Sequence, residues 1–197
     1  EKNLESNIHL KTFPFIKNLR YGENPHQKAS WYGVNNIGWN AAKQLQGKEL
    51  SYNNLLDLES ALSTILEFEY DQKQNTSTNN YAAVILKHNN PCGAALADSP
   101  ADAFRKALDC DSTSAFGGIV AFNNNVDLAA AELLSNIFLE CVVAPSFDKD
   151  ALVILHSKKN LRLLQLNKEN IKIDKESTFK SISGGILEQD IDNEVDQ

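Results

Sequence analysis

The chain has 197 residues, enough for one full domain with its own buried core. At 42% hydrophobic and 23% charged residues, it has the composition of an ordinary soluble globular protein. Its formal net charge of -7 argues against a nucleic-acid partner, which calls for a basic surface, yet a few local cations suffice for an anionic small molecule.

Residues 1–19 read as a polar linker with one apolar cluster, Phe13-Pro14-Phe15-Ile16, and Ala29 to Gly33 fits a short strand. Leu55, Leu58, Leu62, Ile65 and Leu66 recur at helical spacing, with Asn53 or Asn54 as the N-cap. Asp71 to Asn80 is polar and reads as an exposed loop. The unbroken apolar run Ala82 to Leu86 predicts a strand buried on both faces, a pattern typical of parallel sheets. Ser99-Pro100 predicts a helix start, with Ala103, Phe104, Ala107 and Leu108 facing inward. Ile119 to Phe122 is a further strand. Asp127 can cap a helix whose inner face is Leu128, Leu134, Ile137 and Phe138. Val142-Val143-Ala144 forms a strand closed by Pro145, Asp148 to His156 a helix, and Leu161 to Leu166 a strand. The acidic end from Glu188 to Gln197 reads as a surface loop or a tail. Alternating strand and helix predict an α/β fold with a mainly parallel sheet.

Cys92, Cys110 and Cys141 are odd in number and lack metal-like spacing, so they read as reduced thiols of a cytoplasmic protein. No apolar run approaches the roughly 18 residues of a membrane-spanning helix, and no signal peptide opens the chain. Met is absent, and a chain opening Glu1-Lys2-Asn3 is expected to be a piece of something longer.

Lys87-His88-Asn89-Asn90-Pro91-Cys92-Gly93 follows a buried strand, and Gly93-Ala94-Ala95 predicts a helix start after it. In parallel α/β folds ligands collect at the carboxyl ends of strands, and a helix N-terminus there favours anions. His88 can take a proton near neutrality, and Lys87 can stabilise an oxygen that becomes anionic. On residue types alone such a pair is more often surface charge beside a turn than a catalytic group. Arg20-Tyr21-Gly22-Glu23-Asn24-Pro25-His26-Gln27 offers a guanidinium for phosphate or carboxamide oxygens and a ring for stacking, or is an ordinary loop. Ser114-Ala115-Phe116-Gly117-Gly118 permits close backbone approach to a ligand, or a tight turn.

In this order, Arg20 to Gln27, Lys87 to Gly93, Ser114 to Gly118 and Val142 to Pro145 resemble the AICAR transformylase domain of the bifunctional purine-biosynthesis family (AICAR is aminoimidazole carboxamide ribonucleotide). The resemblance runs from about Leu19 to about Gln189, and the first two motifs together are its specific part. It implies formyl transfer from the cosubstrate 10-formyltetrahydrofolate to the 5-amino group of AICAR, without a metal. Lys87 and His88 would be the catalytic pair. Arg20, Tyr21, Asn90, Gly117 and, on the ribose, Glu140 would bind substrate.

The resemblance also implies a fold: a cytidine-deaminase-like three-layer α/β/α unit, present twice in tandem. Residues 20–197 would be the first copy and residues 1–19 the linker into it. The family's cyclohydrolase domain would precede Glu1, the second copy would follow Gln197, and the active sites would form across a homodimer interface. The chain alone would then be inactive. Its expected partners are AICAR and folate, with no nucleic acid and no membrane. Two rivals stand beside this reading. A zinc deaminase would need a second thiolate where Ala95 stands, and its upstream His-x-Glu element is missing. A non-catalytic nucleotide-binding fragment would share the fold without turnover.

Overall fold

The computed structural model describes residues 12–74, 81–171 and 177–190, with the side chains of 69–74 excepted. In chain order the first elements are β1 (Phe15–Leu19), β2 (Ala29–Tyr32), β3 (Lys43–Gln46), α1 (Tyr52–Gln74), β4 (Tyr81–Lys87) and β5 (Asn90–Ala97). They are followed by α2 (Pro100–Cys110), α3 (Ser112–Ala115), β6 (Ile119–Phe122), α4 (Leu128–Ser135) and β7 (Cys141–Ala144). The last are α5 (Lys149–His156), β8 (Arg162–Gln165), β9 (Thr178–Ile182) and β10 (Gly185–Gln189).

The unbroken apolar runs make the centre of the protein. Ala82 to Leu86 of β4 are all buried, as are all residues of β6 and β7. With β3, β5 and β8 they form a six-stranded sheet of order β3-β8-β7-β6-β4-β5. Successive side chains of β4 point to opposite faces. Ala82, Val84 and Leu86 join a cluster with Leu58, Ala61 and Ile65 of α1. Ala83 and Ile85 join another with Phe104 of α2, Leu134 of α4 and Leu155 of α5. Helices therefore cover both faces, and each fully buried Leu, Ile or Phe stabilises the fold by about 1.5–3 kcal/mol.

The sheet is mixed, not mainly parallel. β6–β7 and β7–β8 are parallel, whereas β3–β8, β4–β6 and β4–β5 are antiparallel. An unbroken apolar run records only that both faces are covered. It carries no information about the direction of neighbouring strands, and β4 meets both of its neighbours antiparallel.

Helix starts follow the sequence closely. The Ser99 hydroxyl accepts from the Asp102 amide at 3.1 Å, with Pro100 at the first helical position. Asp127 accepts from the Ala130 amide at 2.8 Å. At α1 the cap is Ser51 rather than Asn53 or Asn54. Its Oγ accepts from the Asn54 amide, and the Asn54 Oδ1 accepts from the Ser51 amide, both at 3.1 Å. This reciprocal pair satisfies two N-terminal donors at once and buries Asn54. The helix then continues to Gln74, so Asp71 to Gln74 are helical rather than loop, and residues 75–80 lie outside the described residues.

Other expectations are refined or change. Phe15–Leu19 forms a strand paired antiparallel with β2, while residues 1–11 lie outside the described residues. Gly93-Ala94-Ala95 continue strand β5, so no helix starts there. Helix α4 ends at Ser135 and buries Ala130, Ala131 and Leu134, leaving Leu128 and Phe138 exposed. It packs against α2 and α5, where an alanine face allows close approach that larger side chains would prevent. Glu188 and Gln189 end strand β10, which pairs with β9 in a hairpin exposed along its length, and residues 191–197 lie outside the described residues.

Candidate active site

The hairpin between β4 and β5 sets the position of the Lys-His pair. Its two-residue turn, His88-Asn89, has both residues in the left-handed region, at φ 52° and 60°. Two positive φ values in a two-residue hairpin loop match the right-handed twist of the flanking strands, and His and Asn tolerate them better than most side chains. The turn is held from three sides. The Asn89 amide N–H donates to Asp57 Oδ1 of α1 at 2.7 Å. The Asn89 side-chain amide, oriented to donate, reaches the Leu56 carbonyl and the Ser60 hydroxyl, both at 3.1 Å. Asn90 Nδ2 donates to the His88 carbonyl at 2.7 Å. His88 itself is exposed at the tip.

Lys87, the last residue of β4, turns toward the next strand, and its Nζ donates to the Phe116 carbonyl at 2.8 Å. That carbonyl precedes Gly117, whose φ of +76° lies in the left-handed region. The Gly117 amide donates to the Phe138 carbonyl at 2.8 Å. Gly118 lies so near β4 that a Cβ there would sit 2.8 Å from the Leu86 carbonyl oxygen. The close approach that the paired glycines permit at Gly118 is thus to the protein's own backbone.

Registers across the sheet align the remaining residues. Leu86 faces Ile119, Ile119 faces Cys141, and Cys141 faces Arg162. Lys87, Gly118, Glu140 and Arg162 therefore lie along one edge of the sheet, spanning three strand spacings, or about 14 Å. This edge holds the carboxyl end of β4 but the amino ends of β6, β7 and β8. The expected position at carboxyl ends of parallel strands fails because β4 runs against β6.

Glu140 is fixed by an ion pair from Arg162 Nη1 to its Oε2 at 2.7 Å. The Arg162 Nε also donates to the Glu49 carbonyl at 3.3 Å. Beside this pair opens a cleft of about 320 Å³ lined by Arg20, Tyr21, Lys48, Glu49, Ser51 and Arg162 among others. The Arg20 guanidinium lies over the Tyr21 ring, 5.6 Å from its centre. The loop behind them is ordered by its own bonds, Gly22 N–H to the Gln27 carbonyl at 2.8 Å and Asn24 N–H to Gln27 Oε1 at 2.8 Å. Asn53 Nδ2 ties it to α1 through the Glu23 carbonyl at 3.3 Å. All seven sequence-predicted site residues thus fall on one edge of the sheet or on the loop above it.

The cysteines stand apart from this chemistry. Burial pushes the Cys92 thiol up, Asp111 pushes it further, and Lys87 opposes them. Cys141 is pushed up to about 12, by burial first, with Arg162 pulling it down and Glu140 and Asp57 pushing it up. Neither is poised as a thiolate nucleophile.

The model of the AICARFT/IMPCHase bienzyme family matches residues 2–197. The chain belongs to that family. It is 64% identical over 193 residues to the bifunctional purine biosynthesis protein PurH of Prochlorococcus marinus subsp. pastoris strain MED4, covering 98% of this chain and 37% of that protein. PurH of strain MIT 9312 is 61% identical over 197 residues, covering 100% of this chain and 38% of the relative. PurH of strain NATL2A is 58% identical over 191 residues, covering 95% and 36%. The chain thus spans well under half the length of these curated relatives. Among solved structures, two forms of Acinetobacter baumannii RibD align at 16% identity and TM-score 0.43, over 55% of this chain and about a third of theirs.

Two residues of this AICARFT/IMPCHase chain escaped the sequence reading. Asp57 is one polar position on a helix whose apolar spacing dominates, and nothing in the sequence ties it to a turn 32 residues away. Arg162 had one signal, a lone cation opening an apolar strand, where a buried charge demands a partner.

Proposed function

We propose that this chain supplies the catalytic pair for formyl transfer from 10-formyltetrahydrofolate to the 5-amino group of AICAR, a step of purine biosynthesis. The observation that carries the proposal is the fixed pair at the hairpin. Lys87 is tethered beside Gly117 at 2.8 Å from the Phe116 carbonyl, and His88 stands next to it on an exposed turn held by Asp57.

His88 accepts the proton that the 5-amino group loses as its nitrogen bonds to the formyl carbon. The Lys87 ammonium faces the formyl oxygen while it carries negative charge. As the bond from the formyl carbon to the folate nitrogen breaks, the proton held by His88 returns to that nitrogen, or Lys87 assists its departure. The products are the formamido nucleotide and tetrahydrofolate, so atoms and charge balance without a metal or redox partner.

The edge row spans about 14 Å. Along it Arg20 and Tyr21 bind the nucleotide end, Glu140 takes the ribose hydroxyls, Gly117 offers backbone, and Asn90 lies beside His88. In the same reading the fold is a cytidine-deaminase-like three-layer unit, residues 20–197 are the first of two such halves, and the working enzyme is a cytoplasmic homodimer. These residues alone then lack the rest of the folate site and do not turn over.

The test compares the full-length gene product with its His88→Ala variant, following tetrahydrofolate release by absorbance with AICAR present. Loss of a general base is expected to lower turnover by about 10²–10⁴-fold while AICAR still binds. Equal turnover in the two proteins overturns the assignment.

A further inference from the structure

Arg162 sits between the two groups assigned to the nucleotide and touches one of them. It opens β8 with a side chain that is 14% exposed, and its Nη1 is 2.7 Å from Glu140 Oε2. Its Nε donates to the Glu49 carbonyl at 3.3 Å. The turn that brings Glu49 there depends on Gly47, which has φ +93°, and a Cβ at Gly47 would sit 2.8 Å from both Cα and Cγ of Arg162. The turn therefore closes directly over the arginine. Arg162 also lines the cleft that holds Arg20 and Tyr21.

We propose that Arg162 is a positioning residue for the nucleotide site: it clamps one carboxylate oxygen of Glu140 so that the other faces the vicinal hydroxyls of a ribose. The proposal rests on the reading of Glu140 as a ribose-binding residue. The clamp needs a planar fork. One nitrogen bonds the carboxylate while another bonds the Glu49 carbonyl, and a lysine ammonium cannot hold both in that geometry. A carboxylate held through one oxygen loses no rotamer freedom when a diol arrives, so the gain appears in nucleotide binding. Lys87 and His88 lie across the sheet and are untouched by it.

The test is a double-mutant cycle in the full-length gene product, on Arg162→Met and Glu140→Ala, reading KM and kcat for AICAR and its dissociation constant by calorimetry. Arg162→Met is expected to raise KM and the dissociation constant about tenfold with kcat nearly unchanged. Added to Glu140→Ala it is expected to cause no further rise, because its partner is already gone. Independent, multiplying effects overturn the proposal, since Arg162 would then contact the ligand itself. An equal fall in kcat with KM unchanged overturns it too. Should Arg162→Met not fold, Arg162→Lys runs the same cycle. It is expected to raise KM a few-fold alone and not in the Glu140→Ala background, and a wild-type KM overturns the clamp. Absent formyl transfer by the wild-type protein, the functional reading falls. The calorimetric cycle still decides the role of Arg162, because it needs only nucleotide binding.

Discussion

Lys87 Nζ donates to the carbonyl of Phe116 at 2.8 Å, and so ties the end of β4 to the residue preceding the left-handed Gly117. The direction of the lysine therefore depends on a backbone conformation that glycine adopts freely and other residues do not.

Gly117→Ala tests that dependence. The added methyl meets nothing closer than the Phe138 ring at 3.7 Å, so the cost comes from the φ of +76° rather than from a clash. It is expected to destabilise the fold by about 1–2 kcal/mol. If the segment relaxes, the Phe116 carbonyl moves and Lys87 loses its tether, which lowers turnover of the full-length protein by about tenfold. Urea unfolding and steady-state rates measure the two effects. Unchanged stability together with unchanged rate contradicts the proposed dependence.

Asp57 offers a second handle on the pair from the opposite side. It accepts the Asn89 amide at 2.7 Å, and removing it leaves that donor without its partner in a strained turn. Asp57→Ala is expected to cost about 1–2 kcal/mol and to lower turnover, while Asp57→Asn, whose carbonyl still accepts, loses less. Hydrogen exchange at Asn89 reads the bond directly. Identical protection in wild type and Asp57→Ala would show that the turn holds by itself.

Much of this arrangement is legible in the residues, and several of the failures share one cause. Ser99, Asp127 and the apolar runs of β4, β6 and β7 are local signals, and the structure follows them. The alternation at Gly93-Ala94-Ala95 is ambiguous because small residues suit a helix start and a strand pressed against a helix alike. The ladder with β4 and the contact with α2 settle it, and the contact with α2 is not local. Strand direction is invisible for the same reason: Ala82 to Leu86 read identically in parallel and antiparallel surroundings. Six of the seven site residues lie in motifs and Glu140 just ahead of one, yet Asp57 and Arg162, which hold the turn and Glu140, are isolated polar positions whose partners lie far along the chain.

Gly93 shows how that contact dictates a residue. A Cβ on it would lie 1.9 Å from the Ala107 carbonyl oxygen and 2.9 Å from its carbon, both backbone atoms of α2. Backbone cannot swing away as a side chain can. Gly93→Ala is therefore expected to cost about 3 kcal/mol through separation of β5 from α2. The measurement is the urea midpoint. A change under about 0.5 kcal/mol, within the range of an ordinary surface substitution, would mean that strand and helix are not in contact there.

The cysteines give a pH-dependent prediction with a defined sign. Cys141 is held neutral by burial, its pKa pushed from 9.0 up to about 12. The folded state keeps the proton that the unfolded chain gives up above pH 9.0, so this contribution is complete below that pH and is lost as the pH rises toward about 12. Unfolding midpoints measured across that window are expected to fall more steeply for the wild type than for Cys141→Ala. At neutral pH the exposed Cys110 is expected to react first with a thiol reagent, the half-buried Cys92 more slowly, and the buried Cys141 only on unfolding. Mass-spectrometric mapping of the labelled sites orders the three. Early labelling of Cys141 in the native protein would show that β7 opens to solvent, and the interior position assigned to it beneath Glu140 and Arg162 would have to be abandoned.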